Sequence, residues 1–144
     1  MKIFNKILLL MLAMLGFTAC EETGTCEYGS PRADYKILGA VVNEKSEPIK
    51  GIEVSVVNNQ GIEKRVTDEK GNFIIEDPSA SPGQEYKLSL KDIDGKDNGG
   101  EFETKDETVS FKGVSHTGGD GNWDSGSAEK SVTVEMKEIQ EAGK

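Results

Sequence analysis

The stretch Tyr35-Lys-Ile-Leu-Gly-Ala-Val-Val-Asn43 decides the fold of this chain. Ile37, Gly39 and Val41 recur at every second position, which is the period of a β-strand whose alternate side chains point to one face. Further short runs of this kind follow, separated by turns rich in Gly, Asn, Asp and Pro, and helical periodicity is scarce. The chain is therefore predicted to be an all-β protein.

Seven strand-like runs are predicted along the chain, at residues 35–43, 52–57, 62–67, 72–75, 86–90, around 109–111, and 131–137. Short strands in this number, joined by turns, predict a β-sandwich. The two prolines in 77–83 predict a break after the fourth strand, and the glycine-rich segment 112–126 predicts a long loop. The predicted core comprises Ile37, Val41, Val54, Val56, Phe73, Ile75, Tyr86, Leu88, Leu90, Val109, Phe111, Val132, Val134 and Met136.

A spaced pattern of glycines and apolar residues runs through residues 35–90. It reads Ile37-x-Gly39-x-Val41, then Pro48-Ile49-x-Gly51-x-x-Val54, then Thr67-Asp68-x-x-Gly71-x-Phe73. This pattern resembles carboxypeptidase regulatory-like and transthyretin-like domains. The resemblance implies a seven-stranded Ig-like/transthyretin-like β-sandwich.

The first 19 residues have the layout of a secretory signal peptide. Lys2 and Lys6 precede an unbroken apolar run of nine residues, 7–15, and small residues lead to Cys20. Because a bilayer-spanning helix needs about 20 apolar residues, the run is too short to be a comfortable retained anchor. The predicted organisation is a leader at 1–19, a tether at 20–34, a sandwich at 35–138 and a charged tail at 139–144.

Cys20 is the predicted lipid attachment point. The segment Leu15-Gly-Phe-Thr-Ala-Cys20 resembles the bacterial lipobox, with Phe17 in place of the commoner Leu. That resemblance implies a thioether-linked diacylglycerol, cleavage before Cys20, and N-acylation with a chain such as palmitate. Each buried methylene contributes about 0.8 kcal/mol, so two or three acyl chains would hold the protein firmly on a membrane. A soluble secreted protein is the alternative.

The predicted location is the cell envelope, with the protein lipid-anchored to the bacterial outer membrane. Glu21 and Glu22 follow Cys20, and an acidic pair there resembles the signal that sends some lipoproteins to the outer leaflet. The pair could equally be a solvated part of an acidic tether. The sequence therefore leaves open whether the domain faces the periplasm or the cell surface.

Cys26 has no predicted disulfide partner, because lipidation would occupy the sulfur of Cys20. The stretch Cys26-x-Tyr28-Gly-Ser-Pro-x-Ala-x-Tyr35, with Pro48-Ile-x-Gly-Ile52 and the run 92–102, resembles a lipoprotein family associated with radical S-adenosylmethionine proteins. The resemblance implies a radical S-adenosylmethionine protein as a partner. It makes Cys26 and Tyr28 candidate modification sites without assigning them a reaction.

The net charge limits the class of partner. The chain carries a formal charge of −9, and removal of a leader with two lysines and no acid would lower it to −11. No basic stripe is present, so a phosphate backbone would be repelled and nucleic acid is excluded as a partner. A protein or a glycan is the expected ligand, and the sequence does not choose between them.

An acidic loop offers the only candidate for a cofactor, a structural calcium ion. The run 92–103 begins as D-x-D-G and ends in a Glu at the twelfth position, as in an EF-hand loop. However, Lys96 occupies a ligand position, Asp97 replaces the glycine that the turn requires, and strands rather than helices flank the run. An Asp/Asn/Gly turn without metal is therefore the predicted structure, so no cofactor is expected, and a structural calcium ion is the alternative. The candidate ligands are Asp92, Asp94, Asp97, Asn98 and Glu103.

Two further side chains, His116 and Trp123, are candidates for a functional role. His116 is the only histidine and follows Ser115, but the neighbouring glycines argue against a preorganised triad, so an exposed loop histidine is predicted. Trp123 is expected to cover an open edge of the sandwich, with a sugar or partner contact as the alternative.

Together these features predict a non-enzymatic, lipid-anchored binding or adhesion module. One alternative is a carrier or substrate protein that the radical S-adenosylmethionine partner modifies near residues 26–31. Another is a calcium-stabilised surface binding module.

Overall fold

The computed structural model describes residues 29–141 and Lys6. The other residues of the leader, together with Cys20, Cys26 and Tyr28, lie outside this part, so the predictions made for them remain predictions. Within the described residues no helix is both long and apolar enough to cross a membrane.

Seven strands form two facing sheets, as predicted. They are β1 (Arg32–Val42), β2 (Ile52–Asn58), β3 (Gly61–Val66), β4 (Asn72–Ala80), β5 (Glu85–Asp92), β6 (Lys105–Ser110) and β7 (Asp124–Glu135). One sheet has the order β4-β1-β7 and the other β3-β2-β5-β6. The predicted all-β sandwich is confirmed.

The first strand is the centre of the three-stranded sheet. β1 pairs antiparallel with β4, where Ile37 lies opposite Ile75, and parallel with β7, where Ile37 lies opposite Lys130. This pairing places the first and last strands of the domain side by side in one sheet. β1 also begins at Arg32, three residues before the predicted start, and Ala33 is fully buried.

The core lies between the sheets and follows the alternation of each strand. Along β1, for example, buried residues alternate with exposed or half-buried ones from Ala33 to Val41. Every predicted core residue is buried except Val132, which is half-buried against the cluster. Six residues outside the predicted core are also buried: Ala33, Tyr35, Ile49, Ile52, Ala80 and Phe102. Each large apolar side chain buried in this way contributes about 1.5–3 kcal/mol.

β4 and β7 extend into segments that were predicted to be a break and a loop. β4 continues through Pro78 to Ala80, where a break was expected. Proline is tolerated there because β4 is an edge strand, so the missing N–H does not interrupt a ladder on both sides. β7 begins at Asp124, inside the segment predicted to be loop, because parallel pairing with β1 supplies hydrogen bonds that the local sequence does not signal.

Long cationic side chains close the open sides between the sheets. On one side Lys130 Nζ donates to the carbonyl oxygen of Ser110, and Lys105 Nζ donates to that of Glu135 at 2.8 Å. On the other side Arg65 Nε donates to the carbonyl oxygen of Ile74 at 3.2 Å. Each bond joins a strand of one sheet to a strand of the other. Charge-assisted hydrogen bonds therefore hold the two sheets together along both open sides of the sandwich.

The turn before β4 requires the glycine that the sequence pattern contains. Gly71 has a φ of 72°, and a Cβ atom there would lie 2.5 Å from the carbonyl oxygen of Val41. Both the left-handed backbone and the close approach favour glycine. Asp68 completes the turn by accepting the N–H groups of Lys70 and Asn72, each at 2.9 Å.

Candidate functional site

A groove of about 590 Å³ lies on the outer face of the three-stranded sheet. Its size falls within the range of about 300–1,000 Å³ that is typical of small-ligand sites. The floor comes from β1, β4 and β7, and one wall comes from the loop between β6 and β7. The lining residues are Asp34, Tyr35, Lys36, Glu76, Pro78, Ser115, Thr117, Ser127, Ala128 and Glu129.

The groove has an excess of negative charge. Lys36 lies opposite Glu76 on β4 and opposite Glu129 on β7, and its ammonium is 3.3 Å from the Glu76 carboxylate. Asp34 adds a third carboxylate, of which one oxygen accepts the N–H of Ser79 at 2.9 Å. One cation therefore faces three acids, and Glu129 is exposed at the rim.

The loop that forms the wall is anchored by His116, so the prediction of an exposed loop histidine is wrong. His116 is half-buried, and its Nε2 lies 3.0 Å from the hydroxyl of Tyr35. Because that hydroxyl already accepts the N–H of Gly83 at 2.8 Å, its own proton is available to His116 Nε2. Thr117 and Ser127 add a reciprocal pair of backbone hydrogen bonds at 2.8 and 2.9 Å. The wall is thus held by side-chain and main-chain bonds.

An aromatic cluster supports the groove from below. The Tyr35 ring stacks on Phe111 at 4.1 Å between centroids, and Tyr86 meets both rings edge-on. Tyr86 donates its hydroxyl to Asp77 Oδ2 at 2.7 Å. Burial, together with the neighbouring Asp77 carboxylate, raises the pKa of Tyr86 far above its usual value. Asp77 is fully buried and its other oxygen has no hydrogen-bond partner within the described residues.

A serine-histidine triad is not assembled around His116. Ser115 is exposed in the wall, while the Nε2 atom of the adjacent histidine is occupied by Tyr35. Among residues 29–141 no carboxylate is hydrogen-bonded to His116, so no group orients the ring as a general base.

The acidic loop after β5 uses its carboxylates to hold its own backbone. Asp92 Oδ1 accepts the N–H groups of Asp94 and Gly95, both at 3.1 Å, and Oδ2 accepts that of Phe102 at 3.0 Å. Burial, with Asp94 close by, raises the pKa of Asp92. Asp94 is engaged by the Asn98 amide.

Apart from the contact between Asn98 and Asp94, the remaining candidate calcium ligands lie at the protein surface. Asp97, Asn98 and Glu103 are exposed. In the part of the chain that the structure describes, no three His, Cys, Asp or Glu side chains are grouped to hold a metal ion.

Trp123 covers the point where the chain enters β1. Its half-buried ring lies 3.1 Å from the position that a Cβ atom at Gly29 would occupy, and its carbonyl oxygen accepts the N–H of Arg32 at 2.8 Å. Asp120 holds the same turn by accepting the N–H groups of Asn122 and Asp124, and these bonds lower the pKa of Asp120. The Trp123 side chain therefore packs against the start of the domain, and part of its ring remains exposed.

No family model and no curated protein sequence matches the chain. Among solved structures it is similar to 3-chlorocatechol 1,2-dioxygenase from Rhodococcus opacus 1CP, with a TM-score of 0.52 at 10% identity, over 80% of this chain and 63% of that chain. It is also similar to catechol 1,2-dioxygenase from Acinetobacter sp. ADP1, with a TM-score of 0.50 at 9% identity, over 96% and 70%. The major pilin subunit of Bacillus cereus gives 0.48 at 15% identity, over 74% and 31%.

At these identities the similarity to the two dioxygenases shows a shared β-sandwich fold and carries no information about activity. The chain spans 63% of the length of the Rhodococcus enzyme. Because a shared fold does not determine function, the function of this chain has to be argued from its own groove.

Proposed function

We propose that the protein is a non-enzymatic, lipid-anchored binding module of the bacterial cell envelope. The signal-peptide layout of residues 1–19 and the lipobox resemblance ending in Cys20 support the anchor. Association with a radical S-adenosylmethionine protein belongs to the same proposal and depends on the motifs in 26–35, 48–52 and 92–102 alone.

The groove on the three-stranded sheet is the observation that carries the binding function. Its volume suits a short peptide segment or a small ligand, and three carboxylates surround one lysine. No aromatic ring is exposed among its lining residues, since Tyr35 is buried, so the stacking platform that sugars favour is missing there. The preferred ligand is a lysine- or arginine-containing peptide segment, whose cations would meet Glu129 and Asp34.

The engagement of His116 supports a binding role over hydrolysis. A general base must be free to take a proton from the nucleophile, and here the Nε2 atom is bonded to Tyr35 within a packed aromatic cluster. His116, which would have to act as the general base, instead fixes the wall of the groove.

The binding proposal is tested with two matched charge reversals on β7. Glu129→Lys changes the groove, whereas Glu135→Lys makes the same change in net charge on the same exposed face of the same strand, outside the groove. Binding of tetralysine, with tetraglutamate as the control peptide, is measured by titration calorimetry at low and moderate salt. Glu129→Lys should weaken tetralysine binding at least fivefold and Glu135→Lys by less than twofold, because local ion pairs outweigh the screened net charge. Equal weakening by both variants would contradict a ligand site in the groove.

A further inference from the structure

Strand β3 has an unpaired edge with a defined set of free backbone groups. It is the outer strand of the sheet β3-β2-β5-β6, and within residues 29–141 no strand pairs with its other side. Asn58 and Gly61 flank a two-residue hairpin loop and lie opposite each other, so they form a hydrogen-bonded pair. Hydrogen-bonded and non-bonded pairs alternate along the ladder. The N–H and C=O groups of Ile62, Lys64 and Val66 therefore point away from β2.

The same three residues carry their side chains on the outer face of the sheet, beside Val57. Val57 is 67% exposed and lies opposite Ile62, which is 71% exposed, while Val66 is 52% exposed. A free edge next to a row of exposed β-branched side chains is a template for pairing with another strand. The inner face of β3 instead carries the charged residues Glu63 and Arg65, which form an ion pair at 2.7 Å.

The sequence of β3 is complementary to itself in one antiparallel register. A two-fold axis through Lys64, perpendicular to the sheet, places Ile62 opposite Val66 of the second copy and Glu63 opposite Arg65 of the second copy. Residues 62, 64 and 66 then form bonded pairs with one another, giving about six hydrogen bonds. Shifting the axis to residue 63 sets Glu63 against Glu63, and shifting it to residue 65 sets Arg65 against Arg65.

We infer that the protein forms a two-fold symmetric homodimer through antiparallel pairing of β3 with β3 of a second copy. The pairing sets Ile62 of each copy beside Val66 of the other, buries part of both side chains, and turns two four-stranded sheets into one of eight strands. Lys64 faces its own counterpart at the axis, and the Glu53 carboxylate 3.1 Å from each ammonium offsets that repulsion. The interface is small, so a shared membrane, which raises the effective concentration, favours its formation.

Cysteine cross-linking at the axis tests the register directly. In a bonded antiparallel pair the two Cα atoms at position 64 lie about 5.5 Å apart, within the range that a disulfide bridges. Lys64→Cys is compared with Lys70→Cys, a matched lysine replacement at an exposed turn, both in the full chain with Cys26→Ser and in native membranes. With mild oxidant, the cross-linked dimer should form at least tenfold faster for Lys64→Cys. Equal rates, or capture of a different protein by Lys64→Cys, would overturn the inference.

A charge exchange provides the second measurement. Glu63→Arg sets like charges against Arg65 of the second copy and should reduce cross-linking through Lys64→Cys at least fivefold. The double variant Glu63→Arg/Arg65→Glu restores opposite charges across the axis and should restore the cross-linking rate. Thermal unfolding followed by circular dichroism checks that each variant is folded. A folded double variant that fails to cross-link, or a folded single variant that cross-links at the original rate, would contradict the proposed register.

Discussion

Gly39 and Phe73 form a contact that the alternating pattern of β1 alone does not explain. They lie opposite each other in the β1–β4 pair, and a Cβ atom at Gly39 would overlap the Phe73 ring. The ring is 4% exposed, so it covers the glycine and closes the core above it. This glycine is required for close packing rather than for an unusual backbone angle.

Phe73→Ala should lower the free energy of unfolding by about 3–5 kcal/mol, because it leaves a cavity at a buried aromatic position. Gly39→Ala should also destabilise the protein, since the new methyl group meets the ring. In the Phe73→Ala background the same Gly39→Ala change should cost much less. Urea denaturation of the two single variants and the double variant measures this coupling, and strictly additive effects would rule out the contact.

Tyr86 and Asp77 link core stability to alkaline pH. The folded state raises the pKa of Tyr86 above its ordinary value of 10.0, through burial first and the Asp77 carboxylate second. Stability from this group is therefore fully present below about pH 10 and is lost as the pH rises from there toward the folded-state pKa.

Tyr86→Phe should cost about 1–3 kcal/mol near pH 7, because Asp77 Oδ2 loses its buried donor. The stability difference between the original protein and this variant should shrink between about pH 9 and pH 11, because only the original protein carries the titrating hydroxyl at this position. Chemical denaturation across that range provides the measurement. A constant difference would show that Tyr86 titrates alike in the folded and unfolded states.

At the scale of elements, Asp92 organises the loop that joins β5 to β6. Its two oxygens accept three backbone N–H groups, the last from Phe102, whose own side chain is buried. The tail adds a second layer, because Glu103 and Ile139 donate to the carbonyl oxygens of Lys137 and Glu101 at 2.9 and 2.7 Å. We propose that this loop is held by Asp92 and the tail, without calcium.

Asp92→Asn should destabilise the protein by about 1–3 kcal/mol, because an amide cannot accept at both positions and its NH₂ group would face a backbone N–H. Asp97→Asn, in the exposed part of the same loop, should stay within about 0.5 kcal/mol. Thermal melts provide the comparison. A melting temperature that rises with added calcium and falls with chelator would instead establish a metal site, since a bound ion stabilises the folded state.

At the scale of elements, the sequence predicts best those strands in which apolar and polar residues alternate within the strand itself. β2 and β5 read clearly because their inward residues, such as Val54 and Leu88, are strongly apolar. β4 continues through Pro78, and β7 starts early. Both features depend on which strands lie next to them in the sheet, and the residues of a strand do not by themselves reveal which strands those are. The groove could not be predicted from the sequence either. Its wall depends on the contact between Tyr35 and His116, which are 81 positions apart in the sequence.

At the scale of the whole molecule, the domain begins close to its predicted anchor. Eight residues separate Cys20 from Gly29, which packs against Trp123, and the nine Cα-to-Cα steps between them span at most about 30 Å. The groove and the free edge of β3 would therefore operate near the membrane surface, where both proposed interactions gain from confinement.

Lipid anchoring through Cys20 is tested by the intact mass of the native protein, measured together with its distribution between membrane and soluble fractions. We expect a membrane-bound chain that begins at Cys20 and carries acyl groups, and a Cys20→Ser variant that loses acyl labelling and leaves the membrane. An additional mass on the peptide containing Cys26 and Tyr28 would favour the carrier or substrate function instead. A soluble mature chain without lipid, or continued acyl labelling of Cys20→Ser, would refute a lipid anchor at Cys20.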